Sequence, residues 1–345
     1  MRLILIEQFP KIRYLRSCNF ARVDNHSTTG ILEEFQAELV DGWRRLPDKG
    51  FFFFLLAAWL ALFQFLGNST FGYLDTSSLL KWIYLLGTAH SAEGETDDNQ
   101  MIIAPLVVIG LFWWKRKELL RQPMETWWPG LLVVAAGLFI HVAGYRLQQP
   151  RISIVALFTG IYGLMGVTWG SKFLRASFFP FFLFIFCVPF GTLSEIITVP
   201  LRQVAVSVVV FITHLAHLDV IRQGNQLIDP KGNFQYEVAA ACGGIRSLIM
   251  TVMLAIVFGF VVFKALWKRL LLIGLAVPLA IAGNVLRLLT VIVAAKAGGQ
   301  GAGTWVHNNA LISLLPYVPA ILALFWLGGL LEKKVPQTPL TEVPA

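Results

Sequence analysis

Apolar residues run along most of this chain in stretches approaching the roughly twenty that a helix, rising 1.5 Å per residue, needs to cross a bilayer. Eight stretches predict spans: Phe51–Gly67, Met101–Trp114, Pro129–Tyr145, Ile152–Gly170, Ser177–Leu193, Ala241–Phe263, Leu270–Ala295 and Asn308–Leu331. A ninth segment, Ser194–Arg222, is apolar in its middle but broken by Pro200, Arg202, His214 and His217. The basic clusters decide how it is read. Eight Lys/Arg precede Phe51; Lys115, Arg116, Lys117 and Arg121 follow the second run, Lys172 and Arg175 the fourth, Lys264, Lys268 and Arg269 the sixth, and Lys333 and Lys334 the last. With eight spans all of these fall on the cytoplasmic side and the acidic loop Ala92–Gln100 falls outside, as the positive-inside rule asks. A ninth span would invert everything downstream, so Ser194–Arg222 is read as an interfacial or re-entrant helix.

The expected fold is therefore all-α, a polytopic integral membrane helical bundle of about eight transmembrane helices plus that one interfacial or re-entrant helix. Residues 1–50 form a cytoplasmic N-terminal region, 51–331 the membrane-embedded catalytic domain, and 332–345 a Pro-rich tail with too little apolar surface to fold. The N-terminus lacks the cleavage site of a signal peptide, because Glu7, Lys11 and Arg13 interrupt its short apolar stretch. Between Asp219 and Ala241, turn signals at Gly224-Asn225, Asp229-Pro230 and Gly232-Asn233 lie among β-prone residues and predict a small hairpin leading to Cys242.

Composition fits the pattern: 56% of the residues are hydrophobic and only 14% charged, against about 25% charged in soluble domains. The net charge of +8 sits in short clusters beside apolar runs, where it sets topology and meets lipid phosphates rather than nucleic acid. Three cysteines, Cys18, Cys187 and Cys242, are too scattered for a disulfide framework or metal cluster.

Ionisable groups inside apolar spans cost roughly 2.5–3.5 kcal/mol for a central arginine, so each needs a reason. Cys242 opens the sixth span at its outer end. Arg287 lies about two turns from the outer end of the seventh, three residues after Asn284 and on its face. His307 stands at the outer entrance of the eighth. Topology thus brings a thiol, a guanidinium and an imidazole to one side at similar depth, and Arg246, one turn from Cys242, adds a second cation that favours the reactive thiolate. Cys187 reads as packing and Cys18 as incidental. His214 and His217, three apart, lack the further ligands a metal site needs, so neither metal nor other cofactor is expected. His141 can hydrogen-bond across helices.

The segments ACGGIRS (Ala241–Ser247) and NVLR (Asn284–Arg287), with a histidine at the last span, resemble the exosortase/archaeosortase family of multi-spanning membrane cysteine transpeptidases. The likeness covers roughly Ile152 to Leu331. It implies a catalytic set of Cys242, Arg287 and His307, with Arg246, Asn284, Gly243 and Gly244 in support. Gly243 replaces the family's usual serine, and the histidine at the third position points to the bacterial branch. The resemblance implies a multi-pass protein of the bacterial cytoplasmic membrane with its active site outside. Its partners would be exported proteins bearing a C-terminal sorting signal, of which Pro-Glu-Pro is the best-known motif, an amine acceptor at the cell surface, and membrane lipids. Two other readings stand beside it: a transporter of an anionic solute, with Arg246 and Arg287 along its path, and a non-catalytic assembly factor in which Cys242 is replaceable.

Overall fold

A computed structural model describes residues 28–70, 74–88, 100–189, 193–224, 226–237, 245–309, 312 and 315–333. It divides into two compact units, one of Val23–Ser91 with Asp97–Phe190, the other chiefly Gly191–Ala345.

The first unit contains α1 (Thr28–Arg45), α2 (Lys49–Phe65), α3 (Leu79–Thr88), α4 (Gln100–Leu119), α5 (Gly130–Arg146) and α6 (Pro150–Phe182), which continues as a 3-10 turn, Leu183–Cys187. Helices α5 and α6 form the tightest pair because small residues recur every seven positions on α5. A Cβ on Gly130 would lie 2.7 Å from the Val167 nitrogen, one on Gly137 2.9 Å from the Gly160 nitrogen, and one on Gly144 2.8 Å from the Ser153 hydroxyl. Close backbone approach of this kind replaces the hydrophobic drive that lipid removes between membrane helices. Helix α6 reverses at Gly170, whose φ of 89° suits only glycine. Past it the chain returns along its first arm: the Tyr162 hydroxyl donates to the Leu174 carbonyl at 2.8 Å, and Phe158 stacks on Phe184 at 4.3 Å. Lys172 and Arg175, expected in a loop between two spans, thus stand in the first turns of the returning arm. His141 bridges to the Ser153 hydroxyl at 3.2 Å and the Leu66 carbonyl at 3.1 Å. Cys187 is buried, with its Sγ 3.8 Å from the Met101 carbonyl.

Helix α1 lies in the region read as a polar N-terminus. Phe35, Leu39, Val40 and Trp43 form an exposed apolar stripe at helical spacing, and α1 meets α2 at 90°. Glu38 on α1 pairs with Arg116 and Lys117 on α4. Partial burial raises its pKa, but the two cations outweigh that and hold the carboxyl below its usual range.

The second unit contains α7 (Leu193–Leu215), strands β1 (Ile221–Gln223), β2 (Gln226–Ile228) and β3 (Gln235–Glu237), α8 (Ile245–Val262), α9 (Leu266–Asn308), a 3-10 turn (Leu315–Tyr317) and α10 (Val318–Lys333). The strands make an antiparallel meander in the order β1-β2-β3, pairing Arg222 with Leu227 and Leu227 with Tyr236. The expected hairpin is therefore extended by a third strand. Val220, Leu227 and Phe234 pack into one cluster with Ala205, Val206 and Val209 of α7 and Val285, Leu288, Ile292 and Ala295 of α9. Lys296 locks this sheet to α9: its amine contacts the fully buried Asp229 carboxylate at 2.8 Å and the Asp219 carbonyl at 3.0 Å.

The segment Ser194–Arg222 does not fold back on itself. It is one helix followed by β1, and His217 ends it with a φ of 55°.

The described helices do not establish eight full spans. Among the described residues two, Pro150–Cys187 and Leu266–Asn308, are long and apolar enough to cross a membrane, or three if the bent pair Phe35–Arg45 and Lys49–Phe65 counts as one span. Leu79–Thr88, Gly130–Arg146, Val199–Leu215, Leu248–Val262 and Leu315–Leu331 are shorter apolar helices. Apolar length in sequence overestimates helix length wherever a run spends residues on turns, as Asn308–Leu331 does before α10.

Candidate functional site

The site is built around one face of α9. Asn284 is buried and accepts a 3.3 Å hydrogen bond from the Tyr317 hydroxyl. Gly283 makes room for that ring, since a Cβ there would come within 2.6 Å of it. The 3-10 turn is thereby latched to α9 one turn before Arg287. The Nε of Arg287 is buried without a hydrogen-bond partner. Leaving a buried charged donor unpaired costs more than the roughly 1–3 kcal/mol of a neutral one, which marks this Nε as an uncompensated polar atom.

Helices α8 and α9 form an antiparallel hairpin in which Gly259 lies against Arg269 and Leu272. Both helices rise 1.5 Å per residue. Counting back from Gly259 to Ile245 and equally far forward on α9 puts the first residue of α8 level with residues 283–286. The N-terminus of α8 thus meets α9 at the height of Asn284 and Arg287. Arg246 is in that first turn. Its side chain, together with Cys242, Gly243 and Gly244, lies outside the described residues.

His307 occupies a different element from the one expected. It belongs to α9, beyond a break at Gly298 and Gly299, where Gly299 takes a φ of 74°. After the break the chain doubles back. A Cβ on Gly298 would meet Ala302, and one on Gly303 would meet Ala295 at 2.9 Å. One turn past Gly303 on the same face, His307 is carried back toward the level of Arg287 and is half-buried. The same arm is tied to β3: the Tyr236 hydroxyl donates to the Gln300 carbonyl at 2.6 Å, and the Gln300 amide donates to the Gln235 carbonyl at 3.3 Å. Since β3 ends at Glu237, five residues before Cys242, the arm bearing His307 and the strand leading to the cysteine are held together.

Two elements thus share one height, α9 with Asn284 and Arg287 and the first turn of α8, and the returning arm carries His307 back along α9 toward them. A family model described as transmembrane exosortase matches residues 91–327. The chain belongs to the transmembrane exosortase family. No curated protein and no solved structure matches it. Exosortases are multi-pass membrane proteins that act as proteases or transpeptidases on exported proteins, and this much comes with membership. The match leaves α1 to α3 outside and spans every helix that builds the site of this exosortase.

The His214 Nε2 donates to the Val220 carbonyl at 3.0 Å and so joins the end of α7 to the sheet. No group of three potential metal ligands occurs among the described residues. Sequence reading passed over Tyr317 and the Asp229–Lys296 pair. A lysine inside an apolar run was a usable signal for Lys296; nothing in the sequence singled out Tyr317. Arg202, read only as an interruption of its helix, also has a buried Nε without a partner.

Proposed function

We propose that this exosortase is a cysteine transpeptidase that cleaves the C-terminal sorting signal of exported proteins on the extracytoplasmic face of the bacterial inner membrane. The observation that carries the reading is the enclosed, unpartnered Nε of Arg287 at the height where α8 begins. The thiolate of Cys242 attacks the scissile carbonyl carbon, forming a C–S bond and a tetrahedral oxyanion. Arg287 donates to that oxygen, an interaction worth roughly 3 kcal/mol when preorganised away from water. Asn284, latched by Tyr317, keeps α9 in position beside it. As the C–N bond breaks, His307 gives its proton to the departing amine. An acceptor amine or water then attacks the thioester, yields its proton to His307, and displaces the thiolate. Arg246, one turn from Cys242, favours the thiolate before attack.

The test is mass spectrometry of a substrate incubated with the full-length protein in nanodiscs. Wild type yields an adduct at Cys242, whereas Cys242→Ala yields neither adduct nor product at unchanged abundance. Persistent cleavage in Cys242→Ala would remove Cys242 from the chemistry, and neither adduct nor product with wild type would leave the assembly-factor reading standing.

A further inference from the structure

Phe35, Leu39 and Trp43 of α1 recur every four positions and are exposed, while Glu38 and Gly42 on the adjoining face rest against α4, at Arg116 and Leu120. Leu39 and Trp43 form one wall of an open cavity of about 340 Å³, completed by Phe112 and Trp113 of α4 and by Trp169 and Phe173 on either side of the Gly170 reversal. That volume falls in the range of small-molecule sites, roughly 300–1,000 Å³. Two cations stand over its aromatic walls. The Lys49 Nζ lies 5.5 Å from the Trp43 ring and the Arg116 guanidinium 4.2 Å from the Trp113 ring. The acids of α1 leave this mouth cationic: Glu38 is shared between Arg116 and Lys117, Asp41 is paired with Arg45 at 2.9 Å, and Glu33 and Glu34 lie in the N-terminal half of the helix. The bend beside it is fixed, since Lys49 donates to the Trp43 carbonyl at 2.8 Å and the Trp169 indole to the Pro47 carbonyl at 3.0 Å.

Helix α2 carries no charge after Lys49 and exposes Phe51, Phe53, Phe54 and Phe65, the pattern of a helix that is apolar all round and set in lipid. Helix α1 meets it at 90° and so lies along the membrane surface. Its apolar face continues onto α2, where Trp43 packs against Phe53 at 5.4 Å. An in-plane helix of this kind sinks its apolar side among acyl chains and keeps its cations by the headgroups. We propose that the cavity binds an anionic phospholipid of the surrounding bilayer, with one acyl chain between α1, α4 and α6 and the phosphate against Lys49 and Arg116. A zwitterionic lipid would bring its own cation to a mouth that already holds two. The family match begins at residue 91, so α1, which supplies one wall of the site, lies outside what family membership accounts for.

The experiment places a photoreactive side chain, Leu39→p-benzoylphenylalanine, in the full-length protein and weighs its crosslinked products by mass spectrometry. The nanodiscs hold equal parts of phosphatidylglycerol and phosphatidylcholine with identical acyl chains. The same substitution at Leu132, an exposed residue of α5, samples the bulk lipid. Crosslinks at Leu39 should favour phosphatidylglycerol about fivefold or more, the worth of one cation beside an anionic headgroup, while those at Leu132 follow the mixture. Lys49→Glu should bring the ratio at Leu39 down to that of the mixture. Glu38→Gln, which releases Arg116 and Lys117 from their carboxylate, should raise it, a gain that a misfolded variant cannot mimic. A ratio at Leu39 equal to that at Leu132, or one indifferent to either substitution, overturns the proposal. So do crosslinks that join Leu39 to residues 1–27 or to a second copy of the chain. No turnover is involved, so the outcome is separate from whether Cys242 is the nucleophile.

Discussion

At the scale of single residues, Arg287 separates charge from geometry. A lysine keeps the positive charge but loses the planar fork that fixes donors on an oxyanion. If the guanidinium acts on the tetrahedral intermediate, Arg287→Lys slows formation of the Cys242 adduct roughly ten- to a thousandfold at matched abundance. If it only snorkels to lipid phosphate, the lysine serves equally well and the rate stays near wild type. Adduct formation in nanodiscs decides between these, since processing in cells mixes chemistry with folding. Lys268 shows the contrasting use of a cation in this chain. It was read as a topology signal, and its amine donates to the Leu331 carbonyl at 2.6 Å, closing the C-terminal end of α10 where the helix dipole welcomes positive charge.

At the scale of elements, one glycine-permitted reversal and one ion pair shape the site. Gly303 sits where any side chain would overlap the Tyr236 hydroxyl and crowd Ala295. Gly303→Val should therefore push the arm bearing His307 away from β3 and lower the processing rate at least tenfold while α8 to α10 stay folded. Circular dichroism together with adduct kinetics checks both halves; a normal rate would detach His307 from the mechanism. The Asp229–Lys296 pair makes a pH-dependent statement. The Lys296 hydrogen bond, against the opposing effect of desolvation and aided by Asn233 and the Lys231 amide, lowers the Asp229 pKa from 3.8 to about 2. A carboxyl whose pKa is depressed by folding adds stability above its unfolded value and loses it as pH falls through the folded one. The sheet should thus keep its full hold on α9 above about pH 4 and release it as pH falls toward 2. Asp229→Asn should show at pH 7 the loosened sheet that wild type shows near pH 2. Hydrogen-exchange protection of Leu227 and Tyr236, corrected for intrinsic rates, measures this, and unchanged protection in Asp229→Asn would rule out the clamp.

At the scale of the whole molecule, sidedness is a proposal that rests on the basic clusters. In the first unit Lys115 reaches the Ala176 carbonyl at 2.9 Å, which brings the Lys115–Arg121 cluster beside Lys172 and Arg175. In the second, Lys264, Lys268 and Arg269 gather at the turn joining α8 to α9, with the end of α10 beside them. In each unit a basic cluster thus gathers at one end, and the positive-inside reading rests on those clusters. In intact cells, with the native cysteines replaced, Asn308→Cys should react with an impermeant maleimide and Lys117→Cys should not. The reverse pattern would move the active site to the cytoplasm and remove the sorting function.

The sequence by itself determined the class of this protein: its apolar runs exclude a soluble chain, and the short segments around Cys242 and Arg287 carry enough chemistry to point to exosortases. It also put Asn284 and Arg287 on one face, because three residues on a helix always share one, and it marked the turns of the sheet through glycine, asparagine and proline. Tertiary structure decided what depends on direction and partners. Apolar composition is the same in a helix that reverses at Gly170 as in two separate spans, and the same in Leu193–Leu215 whether it lies flat or packs alongside α9. The return of His307 follows from two glycines at 298 and 299, whose freedom permits a reversal without specifying one; the contacts of Gly303 with Ala295 and Tyr236 select it. Arg202 looked like a flaw in its helix because a sequence shows the cost of an intramembrane charge, whereas only packing shows that its Nε is buried without a partner.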